Sequence, residues 1–193
     1  MNKRWMALAA LAFSLVGAVS TASADFEPVK LDTVHTRLGF TASTLLFDVD
    51  GHFNKYELKV DGDPHELAKA KVALTIETAS IDTDNAKRDE HLSSADFFDV
   101  KKFPQITFVS ESLKQNGNTL TVTGTLTMHG VKRKVSIPFK KAQGKNGAGV
   151  DTTAFKGKLT VKRSDYGIGT DSVAAKISLE DEVTLELSIV AFL

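Results

Sequence analysis

The sequence predicts an all-β fold, either a barrel or a sandwich of roughly eight or nine strands. Alternation of apolar and polar residues recurs between residues 38 and 189, and turn-forming residues separate the alternating segments. Helical patterns are short. Because short helices cannot cover the apolar faces of so many strands, those faces must cover one another.

The clearest strand is Thr119–Met128, which places every threonine on one face and the apolar residues with Gly124 on the other. A strand of this kind is buried on one side and solvated on the other. The same alternation defines the other strands, whose apolar positions are Leu38 and Phe40; Phe47, Val49 and Phe53; Tyr56, Leu58 and Val60; Val72, Leu74 and Ile76; Ile106 and Phe108; Val135, Ile137 and Phe139; Phe155, Leu159 and Val161; and Val183, Leu185, Leu187 and Ile189.

One short helical segment interrupts the strands. We expect Asp84 to cap a helix over residues 85–92 and to pair with Arg88 one turn later. Ser94 is expected to cap a second turn, which ends before Pro104.

The first 24 residues have the pattern of a secretory signal peptide. Lys3 and Arg4 precede an apolar stretch over residues 5–19, and Ala22-Ser23-Ala24 is a small-residue cleavage site. We therefore expect cleavage near Ala24 and a periplasmic or secreted protein, with residues 25–193 forming one β-barrel or β-sandwich domain. The chain has no cysteine, which excludes disulfides and thiolate chemistry.

Charge and aromatic content exclude two classes of partner. Lys and Arg together number 24, as do Asp and Glu, and the two signs are interleaved, so we expect no nucleic-acid binding. Beyond the predicted cleavage site there is no tryptophan, and the only tyrosines are Tyr56 and Tyr166. Such a chain cannot build the aromatic girdles of an outer-membrane barrel, so no stable membrane insertion is expected.

Several segments resemble the YceI-like family. The longest runs from Ile81 to Asp99 and continues into Phe103-Pro104. The similarity covers residues 28–191 and also includes His35, Phe40, Gly51-His52-Phe53, the stretch from Gly124 to Val131, Pro138, and the stretch from Arg163 to Ile168.

This resemblance implies an exported polyisoprenoid-binding protein. It also implies the architecture: an eight-stranded antiparallel lipocalin-like barrel with a long apolar pore and one short helical segment packed beside it. Many members read His-Leu-Gly after the first strand, where this chain has Thr44-Leu45-Leu46. Since that region would help to shape the pore mouth, the departure bears on ligand identity.

The inward-facing positions of the predicted strands supply the expected ligand-binding residues. We expect the pore to be lined by Phe40, Phe53, Leu74, Ile76, Phe108, Leu126, Phe139 and Phe155. Gly124 and Gly157 lie on the same inner faces. They either leave room for a cavity or mark bends and bulges, and the pattern allows both.

The helical segment carries the densest group of titratable residues: Arg88, Asp89, His91, Asp96 and Asp99. A guanidinium matches phosphate oxygens with paired donors, so Arg88, together with His35 and His91, is a candidate contact for a lipid head group. The alternative is structural: these groups cap the helical turns and pin them to the barrel, while Leu92, Phe97 and Phe98 insert as hydrophobic anchors.

The sequence predicts a carrier that binds an isoprenoid or other long-chain lipid without a chemical step, with no cofactor and no metal. The five histidines have no zinc-ligand spacing. Two alternatives stay open: a stress-related periplasmic interaction module with a packed barrel and no ligand, and a lipid hydrolase or isomerase with His91 or His35 as base. A homodimer is also left open.

Overall fold

The computed structural model of the chain describes residues 30–62 and 66–192. The predicted signal peptide lies outside these residues. The strands are β1 (Lys30–Leu31), β2 (Arg37–Thr44), β3 (Asp48–Phe53), β4 (Tyr56–Asp61), β5 (Lys71–Glu77), β6 (Ile81–Asp82), β7 (Gln105–Asn116), β8 (Thr119–Met128), β9 (Val131–Lys145), β10 (Asp151–Lys162) and β11 (Leu179–Phe192). The α-helices are α1 (Ala86–Ser93) and α2 (Val173–Ser178), and single 3₁₀ turns occupy Leu67–Lys69, Thr78–Ser80 and Arg163–Tyr166.

The strands form one curled antiparallel sheet. Its order is β4-β5-β7-β8-β9-β10-β11-β2-β3-β6, and β1 pairs with β11. Only Asn54 and Lys55 separate β3 from β4, although β3 pairs with β2 and β4 pairs with β5. β3 and β4 therefore act as one bent strand that brings the two ends of the sheet together. With β3 and β4 counted once, and the two-residue β1 and β6 left aside, the predicted eight-stranded antiparallel barrel is confirmed.

The barrel wall has a seam where β4 faces β1 and the turn that follows β1. Among the described strands β4 pairs with β5 alone, and β1 pairs with β11. Across the gap the Tyr56 hydroxyl donates a hydrogen bond to the carbonyl oxygen of Thr36, at 3.0 Å. The two sides of the seam are therefore joined by a side-chain hydrogen bond and not by backbone hydrogen bonds between paired strands.

The helical segment differs from its prediction in its cap. Helix α1 begins after Asn85, whose side chain accepts a hydrogen bond from the Arg88 backbone nitrogen at 3.1 Å. Asp84 has a φ of 59°, a left-handed conformation in which the chain turns before the helix starts. The prediction of Asp84 as the cap is therefore wrong by one residue. Ser94 lies in the second turn, as predicted, and its hydroxyl accepts a hydrogen bond from the Asp96 backbone nitrogen at 3.3 Å.

A second helix, α2, was not predicted. It begins at the cap residue Ser172, whose hydroxyl accepts from the Ala175 nitrogen at 3.3 Å. Arg163 holds it in place by donating to the carbonyl oxygens of Ala175, Leu179 and Glu180 at 3.4, 3.3 and 3.1 Å. The last carbonyl groups of a helix have no hydrogen-bond donor within the helix. Here the Arg163 guanidinium supplies the missing donors.

One end of the barrel is filled by side chains from the connections. Phe97, Tyr166, Ile168 and Ala175 are buried there, and Leu92 and Phe98 pack against the same core. The ring of Phe98 meets the ring of Phe53 edge-on, with centroids 6.2 Å apart. We call this group the filled end.

Among the described residues, no helix is both long enough and apolar enough to cross a membrane.

Candidate ligand cavity

The other part of the barrel encloses a cavity of about 150 Å³. Its wall consists of Leu31, Leu38, Gly39, Phe53, Leu58, Val60, Leu67, Val72, Leu74, Ile76, Ile106, Phe108, Leu113, Leu120, Val122, Leu126, Met128, Val135, Ile137, Phe139, Phe155, Leu159, Leu185, Leu187, Ile189 and Ala191. None of these described residues has a polar side chain. The predicted alternative of an interior packed solid is therefore wrong for this part of the barrel, which we call the hollow half.

The cavity is elongated along the barrel. On β8 its wall runs from Leu120 to Met128. At roughly 3.4 Å per residue this is about 27 Å along the strand, or about 20 Å along the axis for a strand tilt of roughly 40°. Apolar cavities of about 150 Å³ in other proteins stay dry and admit small apolar molecules. The hollow half therefore offers an extended, apolar site.

Two cross-strand pairs explain why large phenylalanines leave a void. A Cβ atom added to Gly157 would lie 2.7 Å from the ring of Phe139, its direct partner on the neighbouring strand. A Cβ atom added to Gly124 would lie 2.7 Å from the ring of Phe108 and 2.3 Å from the Val109 carbonyl oxygen. Each ring thus covers the inner face of a glycine and lies against the wall.

This arrangement decides between the two interpretations of the glycines. The space they leave is occupied by aromatic rings, so they do not themselves form the cavity. Gly124 also lies next to a bulge, since the pairing of β7 with β8 shifts register between Ser110 and Ser112. The bulge interpretation is therefore correct for Gly124. Both glycines also widen the lumen indirectly, because each lets a neighbouring aromatic ring lie against the barrel wall.

Seven of the eight predicted lining residues stand on the cavity wall: Phe53, Leu74, Ile76, Phe108, Leu126, Phe139 and Phe155. Phe40 does not. Its ring covers Gly51 on β3 and packs against Phe53, with centroids 5.9 Å apart, toward the filled end. Whether the seven contact a ligand stays a prediction.

Sequence reasoning omitted most of the wall. Leu38, Val122, Ile137, Leu185 and Leu187 all line the cavity. Each occupies an inward position of a strand recognised by its alternation, so the signal was present in the sequence. Selecting mainly phenylalanines left these aliphatic positions out.

The three head-group candidates lie in two separate places. His35 belongs to the turn between β1 and β2, beside the seam, and its Nδ1 is 2.7 Å from the Asp32 carboxylate. Arg88 and His91 lie on α1. The structure therefore does not assemble a single polar site from these three residues.

Arg88 is engaged in holding its own helix. Its Nε donates to the Thr83 hydroxyl at 2.7 Å and its Nη2 to the Thr83 carbonyl at 2.6 Å. Asp89 accepts hydrogen bonds from the Thr83 nitrogen and hydroxyl, at 3.0 and 2.6 Å. The predicted pair of Arg88 with Asp84 is replaced by these contacts, which pin α1 to the barrel as the structural alternative expects.

The seam is the part of the cavity region where ionisable groups are perturbed. The hydrogen bond from His35 lowers the pKa of Asp32. Burial raises the pKa of Tyr56, whose hydroxyl bridges the seam. Both groups are held in one protonation state at neutral pH, carboxylate and phenol. No cluster of three or more His, Asp or Glu side chains that could hold a metal occurs among the described residues.

The family profile described as the YceI-like domain matches residues 29–191. The chain belongs to the YceI-like family. A UPF0312 protein of Pseudomonas aeruginosa strain LESB58 is 35% identical over 191 residues, which covers 98% of this chain and 97% of the relative.

Two solved structures share the fold of this YceI-like protein. Burkholderia cenocepacia BcnA superposes with a TM-score of 0.75 at 32% identity, covering 84% of this chain and 99% of BcnA. A polyisoprenoid binding domain from Saccharophagus degradans gives a TM-score of 0.64 at 16% identity, covering 84% of this chain and 96% of that domain. The second likeness concerns the fold alone.

Proposed function

We propose that this YceI-like protein is an exported carrier that binds a polyisoprenoid or another long-chain lipid in the hollow half, without a chemical step. The observation that carries this proposal is the cavity of about 150 Å³ whose described wall has no polar side chain. The Saccharophagus degradans protein with the same fold is a polyisoprenoid binding domain, which supports the same class of ligand. The pattern of residues 1–24 supports export to the periplasm or beyond.

The apolar wall suits reversible loading. Each methylene group buried from water gains about 0.8 kcal/mol, so a long tail in contact with water would bind irreversibly tightly. Before binding, the lipid lies in a bilayer, where its tail is already in an apolar medium. The free energy of transfer is then the small difference between bilayer and cavity, which allows both uptake and release.

The length of the cavity limits the tail. An extended chain advances by about 1.2 Å per bond, so about 20 Å matches the length of roughly 16 chain atoms. A volume of about 150 Å³ holds only a small part of such a chain, so the wall side chains have to move apart when the tail enters. A longer polyisoprenoid tail has to fold back or leave through an opening. The seam between β1 and β4 is the opening we assign, because its sides contribute Leu31, Leu58 and Val60 to the wall.

The head group is expected outside the cavity. A phosphate or hydroxyl buried against these side chains would lose its hydrogen bonds to water. His35 lies beside the seam and is half of a pair with Asp32. We therefore retain His35 as the head-group candidate and assign Arg88 and His91 to the support of α1.

The test is uptake of a long-chain lipid by purified protein, measured by native mass spectrometry after incubation with vesicles. We expect Phe108→Asp to abolish uptake, because it places a carboxylate on the cavity wall. Val109→Asp is the matched control, since Val109 is the next residue of the same strand and is 56% exposed. Circular dichroism verifies that both variants fold. If wild-type protein takes up no lipid, or if Phe108→Asp takes up as much as Val109→Asp, the carrier proposal is wrong.

A further inference from the structure

Large apolar side chains are exposed together at the filled end of the barrel. Leu45, Leu46 and Phe47, in the turn between β2 and β3, are 75%, 90% and 59% exposed. Val173 and Ile177, one turn apart on α2, are both 71% exposed. We call these five residues the apolar tip. Solvent-exposed clusters of this kind mark interaction sites in soluble proteins.

The two parts of the tip are joined by backbone contacts. The Leu45 nitrogen donates to the Ser178 carbonyl oxygen at 3.2 Å, and Thr44 pairs with Leu179 in the sheet. The turn is also held from within: the Thr44 hydroxyl accepts from the Leu46 and Phe47 nitrogens at 3.3 and 3.1 Å. The tip is therefore a single, preformed surface.

Its position separates it from the cavity. None of its residues belongs to the cavity wall, and it lies at the end of β2 opposite to the seam. The prediction that the segment Thr44-Leu45-Leu46 shapes the pore mouth does not match this placement. The tip therefore needs a role that does not involve contact with cargo.

The charges around the tip are mostly acidic. Asp48, Asp171 and Glu180 are exposed on the flanking residues. The basic residues are the exposed Lys176 on α2 and the half-buried Arg163, whose guanidinium is bonded to backbone carbonyls of this region. An acidic border repels an anionic bilayer surface and also a second copy of the same tip. It complements a protein surface whose apolar groove is bordered by lysine or arginine.

We propose that the apolar tip docks a protein partner that has such a groove, with Leu46 and Phe47 as the anchoring side chains. Because hydrogen bonds already hold the backbone of this turn, it loses little conformational entropy on binding, which favours a specific protein interface. Because docking at this end leaves the seam free, the partner can hold the barrel while the cavity exchanges its contents. The proposal does not depend on which cargo the cavity takes.

The test uses carbodiimide coupling, which forms an amide bond without a spacer between a carboxylate and a lysine amine that lie in close contact. The purified protein is coupled in an extract of the organism that makes it, and the adducts are mapped by mass spectrometry. We expect links from Asp48, Asp171 or Glu180 to lysines of one partner. Binding of that partner should weaken on the order of thirty-fold in Leu46→Asp or Phe47→Asp. Added salt should weaken it further because the border contributes charge pairs.

Val150→Asp is the matched control, since Val150 is an exposed valine in the turn between β9 and β10 and receives the same charge. It should bind the partner like the wild type, and all three variants should take up lipid normally. The proposal is overturned if no partner lysine couples to the three carboxylates, or if binding survives Leu46→Asp and Phe47→Asp. It is also overturned if the adducts join two copies of the chain, or if phosphatidylethanolamine–phosphatidylglycerol vesicles capture the protein through the tip.

Discussion

The two parts of the barrel use the same alternating strands and end with opposite interiors. In the hollow half the strands face one another across a void, and Phe108 and Phe139 lie against glycines on the wall. At the filled end the connections insert Phe97, Tyr166 and Ile168, which are 6%, 2% and 5% exposed. The difference shows that alternation determines which residues point inward, while the connections and the glycines determine whether the interior is empty.

The largest expected effect is on stability and compares one phenylalanine from each part. Phe97→Ala should lower the free energy of unfolding by about 3 to 5 kcal/mol, because it opens a new cavity in close-packed surroundings. Phe155→Ala should cost less than half of that, since Phe155 already borders the void and is only half-buried. Urea unfolding followed by circular dichroism measures both. Equal losses would contradict the distinction between the two parts.

The next largest effect is on the amount of lipid that the cavity takes up. Gly157→Val should drive the Phe139 ring off the wall and into the lumen, because even a Cβ atom would lie 2.7 Å from it. We expect lipid uptake to fall at least about ten-fold, with a stability cost of roughly 1 to 3 kcal/mol from overpacking. The double variant Gly157→Val, Phe139→Ala removes the displaced ring and should recover uptake. If the double variant binds as poorly as the single one, the role assigned to this pair is wrong.

A smaller effect is expected from filling the void directly. Val122→Phe adds a ring to the middle of the cavity wall. We expect the lipid-free protein to gain about 1 kcal/mol of stability, as in other cavity-filling substitutions, while uptake decreases. Thermal unfolding with and without lipid measures the two changes. A loss of stability without lipid would indicate that the interior is already full at this position.

The smallest effect is on pH dependence at the seam. The pKa of Asp32 is lowered below its usual 3.8 by the His35 hydrogen bond, so the folded state favours the carboxylate. The resulting stabilisation is present above pH 3.8 and is lost as the pH falls through the lowered value. Asp32→Asn should remove this part of the acid transition, and the change should be small because the partner His35 side chain is 70% exposed to solvent. An unchanged acid-denaturation curve would show that the pair contributes nothing.

Much of the fold could be predicted because it follows from residue periodicity. The alternation in Thr119–Met128 reappears as β8, with its apolar residues buried and its threonines half-buried or exposed. Helix α2 could not be predicted in this way, because its six residues include Val173 and Ile177, which favour strands. It is stabilised by the distant Arg163, a tertiary contact that no local pattern encodes.

The site was predictable to the extent that it depends on which face of a strand points inward. Seven of the eight chosen residues line the cavity for that reason. Phe40 shares an inner face with Leu38, yet its ring turns over Gly51. The direction that a ring takes depends on the side chain opposite, which comes from another strand. The existence of the void depends on the same rings and was therefore open at the level of sequence.

The pairing of phenylalanine with glycine also means that the calibre of the channel is controlled by its smallest residues. Exchanging one large wall residue for another alters the surface that a guest would touch, whereas adding a single methyl group at Gly157 would redirect an entire ring. The diameter of the channel and the chemistry of its lining can thus be changed almost independently. This makes the fold a practical starting point for engineering binding proteins with channels of different diameters.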